Sequence, residues 1–273
     1  MPPVPHPSDK PILLTGAAGG LGTALRPRLL ERYGRLRSSD IVPFGPALPG
    51  EEIVVGDIAD ATLCDRIAAG AGALVHLGGR SSEDSWEVIC RANIVGCFNM
   101  FDAARVAGIK RVVFASSNHA IGFHPSSQRL DNTVRQRPDS LYGVSKAFGE
   151  DLASLYVDKH GMEIASLRIG SSFPEPSDIR QLSTWLSYAD LYRLIVACLE
   201  APKLGFAVMY GASKNSRGWW DNSKQPEIAW TPEDSADTFA AQMMRDGKDP
   251  RDPNDPAVKF QGGAFVTFET RRK

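Results

Sequence analysis

Ile12-Leu-Leu-Thr15-Gly16-Ala-Ala-Gly19-Gly-Leu-Gly22-Thr-Ala-Leu-Arg-Pro-Arg-Leu-Leu30 runs from a short apolar stretch through a glycine-rich turn into a helical pattern. That order is the one in which a β-strand feeds a helix through a phosphate-binding turn. Gly16 allows the tight turn, Gly19 lets the backbone approach a pyrophosphate, and Gly22 permits close packing of helix on strand. The helix N-terminus adds free N–H groups for anionic oxygens. Gly16, Ala18, Gly19, Gly20, Leu21 and Gly22 are therefore the first candidate cofactor-binding residues.

Outward from this unit the chain keeps a rhythm. Short β-rich runs at Ile12-Leu-Leu14, Ile53-Val-Val55, Leu74-Val-His-Leu77, Val112-Val-Phe-Ala115 and Ile164-Ala-Ser-Leu167 alternate with helical patterns at about 20–33, 60–69, 86–107, 142–160 and 189–200. The alternation demands another strand near 36–42, although Leu36-Arg-Ser-Ser-Asp-Ile-Val42 has little β character. Sequential parallel strands need crossovers, and continuous apolar strands are buried on both faces. The sequence thus predicts an α/β protein of the Rossmann type, a doubly wound parallel sheet between two helix layers. After about residue 170 the rhythm ends, and the Ser-, Pro-, Gly- and Trp-rich stretches 171–187 and 211–232 read as long loops. The expected organisation is a Pro-rich arm at 1–10, a dinucleotide-binding Rossmann domain at 11–170, and a small loop-rich substrate-binding portion at 171–273 that does not fold independently.

Composition narrows the partners. The 273 residues carry 31 Lys+Arg against 32 Asp+Glu, a formal charge of -1, so no electrostatic excess exists to hold nucleic acid or an anionic membrane. No apolar run reaches the ~20 residues of a membrane span, and Met1-Pro-Pro-Val-Pro-His-Pro7 lacks the layout of a signal peptide. Cys64, Cys90, Cys97 and Cys198 form no C-x-x-C pair and sit in apolar surroundings, as reduced core thiols do. A cytoplasmic, soluble protein is expected, and a homo-oligomer. No metal site is expected either: His119 and His124 lie five apart without acidic or cysteine partners at ligand spacing.

Further candidates follow the strands. Asp40 lies 24 residues beyond Gly16, where a carboxylate accepts hydrogen bonds from an adenosine ribose and repels a 2′-phosphate, which favours NAD over NADP. Arg37 beside it argues the other way. Asp57-Ile58 is placed to flank the adenine, with a helix N-cap as the competing role for Asp57. Leu77-Gly78-Gly79 ends a strand where absent side chains let a cofactor pass. Tyr142-Gly-Val-Ser-Lys146 opens a helix, and residues four apart share a face, so phenol and ammonium can point into one cleft. Free tyrosine has a pKa near ~10, and a neighbouring lysine and an oxidised nicotinamide both favour its phenolate. Tyr142 can then take a hydroxyl proton while hydride leaves the same carbon, with Ser116 or Ser117 positioning the oxygen. Trp185, Trp219 and Trp220 read as packing anchors before sugar platforms.

These residues carry a resemblance. The turn spacing G-x-x-G-x-x-G and the Tyr-x-x-x-Lys pair resemble the extended short-chain dehydrogenases and reductases. Val113-Phe-Ala-Ser-Ser-Asn-His119, Arg168-Ile-Gly-Ser171, Leu182-Ser-Thr-Trp185, Gly218-Trp-Trp-Asp-Asn-Ser223 and Phe260-Gln-Gly-Gly-Ala-Phe-Val266 are, more narrowly, similar to bacterial uronate dehydrogenases over about residues 12–267. The resemblance implies NAD-dependent oxidation of D-galacturonate or D-glucuronate at the anomeric carbon to an aldaric acid lactone. It makes Tyr142 the base, gives Lys146 the nicotinamide ribose and the lowering of the tyrosine pKa, and gives Ser117 the anomeric oxygen. It places Ser81, Asn118, His119, Ser171 and Arg180 on the hexuronic acid, and Arg180 suits its carboxylate. Arg80 departs from the apolar residue expected beside the sugar, and the Pro-rich arm has no counterpart.

Two rival readings stand beside this one. A nucleotide-sugar 4-epimerase or dehydratase would use the same Tyr142 and Lys146, but it needs room for a nucleotide diphosphate, and only about a hundred residues without a basic cluster follow the helix at 142–160. A non-catalytic dinucleotide sensor would have no need of Ser117, Tyr142 and Lys146 together.

Overall fold

The computed structural model describes residues 10–245, 252 and 254–270, so apart from Lys10 the Pro-rich arm lies outside the described residues. In chain order the elements are β1 (Ile12–Thr15), α1 (Gly20–Tyr33), β2 (Leu36–Asp40), β3 (Glu51–Val55), α2 (Ala61–Ala68), β4 (Ala73–His76), α3 (Trp86–Ile89), a π-helical segment (Cys90–Val95), and α4 (Gly96–Val106). There follow β5 (Arg111–Ser117), a 3-10 turn (Asn118–Ile121), β6 (Leu130–Asp131), α5 (Leu141–His160) and β7 (Glu163–Ile169). The last part holds α6 (Gln181–Thr184), α7 (Tyr188–Glu200), β8 (Phe206–Gly211), β9 (Trp220–Asp221), α8 (Asp237–Arg245), α9 (Pro256–Lys259) and a 3-10 turn (Gly263–Thr267).

Seven parallel strands form the sheet in the order β3-β2-β1-β4-β5-β7-β8. The chain winds outward in one direction from β1 and in the other from β4, and the reversal between these neighbours opens a crevice at the carboxyl ends of the strands. Alternation along each strand feeds two cores. Ile12, Leu14, Val75 and Val113 meet α1 and α7 on one face, while Leu13, Leu74, Val112 and Ile164 meet α2, α4 and α5 on the other. The doubly wound α/β fold expected from the rhythm is the fold observed.

The strand near 36–42 exists, as Leu36–Asp40, and the side chains of Arg37, Ser38 and Asp40 find partners that compensate for weak β propensity. Ser38 Oγ donates to Glu51, and Arg37 binds Glu52 at 2.6 Å. The chain departs from expectation after β7. The strand-helix rhythm does not stop near residue 170, because α7 leads into Phe206-Ala-Val-Met-Tyr-Gly211, which pairs in parallel along β7 as the sheet edge. The expected loops at 171–187 and 211–232 flank this last repeat. The helix expected at 86–107 is continuous but carries the π segment, a local insertion that turns Asn93 inward.

Candidate functional site

A cavity of about 840 Å³ occupies the crevice. Residues just beyond six of the seven strands line it: Gly16 after β1, Ile41 after β2, Asp57 after β3, Leu77 after β4, Asn118 after β5 and Ser171 after β7. Every candidate cofactor, catalytic and substrate residue singled out from the sequence faces this one cavity.

At the cofactor end the glycines separate by function. Gly16 has φ +72, and a Cβ there would lie 2.7 Å from the Leu77 backbone. A Cβ on Gly22 would collide with the Gly16 carbonyl. These two glycines serve the turn and the packing. Gly19 and Gly20 are different, since a Cβ on Gly19 would meet only the Gly16 carbonyl at 3.4 Å and one on Gly20 only the Tyr188 hydroxyl at 3.7 Å. Their open faces border the cavity at the N-terminus of α1, as a pyrophosphate requires. The residues present therefore fit a dinucleotide. Asp40 Oδ2 accepts from Ala18 N at 2.9 Å, which ties the end of β2 to the turn. Arg37, the dissenting cation, is turned away to Glu52 and to the carbonyls of Ile67 and Ala69. Asp57 does not cap α2; Asp60 does, accepting from Thr62 N, while Asp57 pairs with Arg91 at 2.7 Å. Asn93 fixes the turn after β4 by accepting from Arg80 N and donating to Arg80 O and to Ser145 Oγ. Arg80 itself lines the cavity, and its head is held by Asp84 at 3.0 Å.

Tyr142 and Lys146 stand one turn apart at the start of α5. Two devices fix that helix end: Ser140 Oγ accepts from Gly143 N, and the Glu83 carboxylate accepts from Leu141 N and Tyr142 N, where the helix dipole favours negative charge. Lys146 Nζ donates to Ala115 O at 2.7 Å and lies 5.5 Å from the Tyr142 ring centre. Burial pulls the lysine down to about 8. Burial also pushes the Tyr142 phenol up to about 12, and the influence opposing it is a hydrogen bond with Ser117. In the protein alone, burial outweighs what lowers the phenol. Ser116 and Ser117 end β5 and separate in role, since Ser116 Oγ donates to Glu150 at 2.6 Å on the helix side and Ser117 turns to Tyr142.

At the far end, Arg180 Nε donates to Gln261 O at 2.8 Å, Nη2 reaches the same carbonyl, and Nη1 contacts Ser171 Oγ at 3.5 Å. The Asn118 amide, in the orientation its neighbours require, donates to Ile169 O and accepts from Arg180 Nη2 at 2.9 Å. Arg180 forms no ion pair among the described residues, and burial lowers its pKa, opposed by Asp178 and Asp139 at a distance. His119 bonds Asp139 through Nδ1 at 2.8 Å and stacks on Phe265 at 3.7 Å, with Tyr142 edge-on at 5.7 Å. Trp185 and Trp220 anchor the fold, as expected: Trp185 packs on Phe239, and Trp220 stacks on Tyr210. Asp139, Glu83 and Tyr188 are site neighbours that no motif in the sequence marks, and Gln261 and Phe265 stand in a resembling stretch that assigns them no role. Among the described residues no cluster of three His, Cys, Asp or Glu side chains could hold a metal ion.

A dinucleotide cradle at the switch point, with a phenol, an ammonium and a serine hydroxyl converging beyond it, is the equipment of an NAD-dependent oxidoreductase. Residues 12–176 match the model of the "NAD dependent epimerase/dehydratase family". The chain is 48% identical over 256 residues to a uronate dehydrogenase of Pseudomonas putida, covering 93% of this chain and 95% of that one. It is 50% identical over 257 residues to the uronate dehydrogenase of Agrobacterium fabrum, at 94% and 97% coverage. A crystal structure of a uronate dehydrogenase mutant from Agrobacterium tumefaciens, complexed with NAD, superposes with a TM-score of 0.93 at 48% identity, covering 97% of this chain and 99% of that one. The chain belongs to the NAD dependent epimerase/dehydratase family and, within it, to the uronate dehydrogenases.

Proposed function

We propose that the protein oxidises D-galacturonate and D-glucuronate at the anomeric carbon and releases the aldarolactone, which then hydrolyses without the enzyme. The observation that carries this reading is Arg180, a guanidinium facing the cavity with no ion pair among the described residues. A neutral sugar gives such a cation no partner, whereas a hexuronate brings a carboxylate. Because the Nε edge is engaged by Gln261 O, the carboxylate would bind the terminal nitrogens, where Ser171 and Asn118 add hydrogen-bonding groups.

Gly16 to Gly22, Asp40 and Leu77 to Gly79 would hold NAD, with Asp57 and Ile58 beside the adenine. Bound NAD+ supplies the acceptor for the hydride lost from C1 and a positive charge that favours the Tyr142 phenolate. Tyr142 Oη takes the proton of the C1 hydroxyl, Ser117 Oγ positions that oxygen, and Lys146 sits one turn along to hold the nicotinamide ribose. Ser81, Asn118, His119 and Ser171 read the ring hydroxyls, and Phe265 backs the His119 imidazole. We also place the protein in the cytoplasm, which its four free cysteines support, and read it as a homo-oligomer, which exposed Trp86, Val95 and Phe98 along one helix support. No helix among the described residues is long and apolar enough to cross a membrane.

Product analysis tests the chemistry. Galacturonate with excess NAD+ should give one NADH per sugar consumed, and proton NMR should catch the lactone before hydrolysis. Interconversion of sugars without net NADH would instead indicate an epimerase.

A further inference from the structure

The Tyr188 hydroxyl stands over the glycine turn with no hydrogen-bond partner among the described residues. Tyr188 opens α7 and is half-buried, and its Oη lies 3.7 Å from the point where a Cβ on Gly20 would sit. Gly20 is the first residue of α1, so the phenol faces the helix end where free N–H groups gather. Its mounting is rigid. Ser187 caps α7 by accepting from Asp190 N at 2.9 Å, and the buried Asp190 carboxylate accepts from Ser213 Oγ, Glu233 N and Asp234 N. α7 shares a hydrophobic core with α1, and Arg28 lies over the Tyr192 ring at 5.9 Å.

A phenylalanine would pack as well at this position, and an unpaired hydroxyl on a half-buried ring adds nothing to the fold. What it adds is one O–H donor aimed into the cavity, across from backbone that already suits an anion. We propose that Tyr188 donates a hydrogen bond to a phosphate oxygen of the bound dinucleotide, closing over the pyrophosphate from the side opposite α1. The proposal rests on the cavity being the NAD site. It makes Tyr188 a cofactor-binding residue supplied by the chain beyond β7, so that both helices of this layer, α1 and α7, grip the same group.

Calorimetric titration of wild type and Tyr188→Phe with NAD+, ADP-ribose and adenosine tests it. A hydrogen bond to a charged oxygen predicts about 10-fold weaker binding of both NAD+ and ADP-ribose, and unchanged binding of adenosine, which has no phosphate. The melting temperature without ligand should not move, since the hydroxyl has no partner in the fold. Unchanged affinity for ADP-ribose overturns the proposal, as does an equal loss for adenosine. A wild-type protein that binds none of the three would remove the cofactor reading and the proposal with it.

Discussion

Lys146 Nζ lies 5.5 Å from the centre of the Tyr142 ring, and both groups are buried, so each is held in its neutral form more strongly than it would be in water. The lysine falls to about 8 and the phenol rises to about 12. Between pH 8 and 10 the unfolded chain, with lysine at its ordinary 10.5, therefore binds this proton more tightly than the folded one. Stability must rise with pH there on account of Lys146. Urea denaturation of wild type and Lys146→Met should show wild type gaining on the variant from pH 8 to 10. Curves that run parallel across this window would contradict the burial argument.

The hydrogen bond between Ser117 and Tyr142 opposes the rise of the phenol. In Ser117→Ala the acidic limb of the kcat/KM profile should move to higher pH, beyond the loss of rate at any one pH. Tyr142→Phe should bind NAD+ as wild type does, because only a hydroxyl is lost, and should lose at least ~10²-fold in turnover with the base gone. A profile unchanged by Ser117→Ala would separate the serine from the base.

Asp40 has two tasks, as acceptor from Ala18 N and as a negative charge at the end of β2. Asp40→Asn keeps an acceptor and removes the charge, so it should mainly relax the preference for NAD+ over NADP+. Asp40→Ala should in addition weaken NAD+, and losing a ribose bond to a charged group alone predicts roughly 10-fold or more. Cofactor KM values for both variants check the division.

Arg180→Ala should raise the galacturonate KM by roughly 10- to 150-fold, the effect of about 1.5–3 kcal/mol for a charged hydrogen bond. Turnover should fall less, since the carboxylate lies far from C1. Arg180→Lys restores charge without the planar donors and should be intermediate. Steady-state kinetics on galacturonate give the comparison, and an unchanged KM would place the carboxylate elsewhere.

What the sequence disclosed was local. The glycine turn, with Gly16 at φ +72, and the Tyr142-Lys146 pair each declare themselves within seven residues, because turn sterics and helix periodicity act at that range. β2 was legible only through the rhythm of its neighbours, and β8 was missed because no glycine turn or helix after it marks another repeat. The substrate end is assembled at long range: His119 meets Asp139 20 residues away, Tyr142 N meets Glu83 59 away, and Arg180 meets Gln261 81 away. No spacing rule reaches such pairs, so the resemblance to relatives placed Arg180 and Asn118 at the site while leaving Gln261 and Phe265 without roles.

Uronate oxidation is read out by the absorbance of NADH after mixing the protein and NAD+ with galacturonate, glucuronate, galactose or glucose. Both acids should yield NADH, and neither neutral sugar should yield any above background. Silence with both uronates, or equal rates with galactose and galacturonate, would contradict the proposed function.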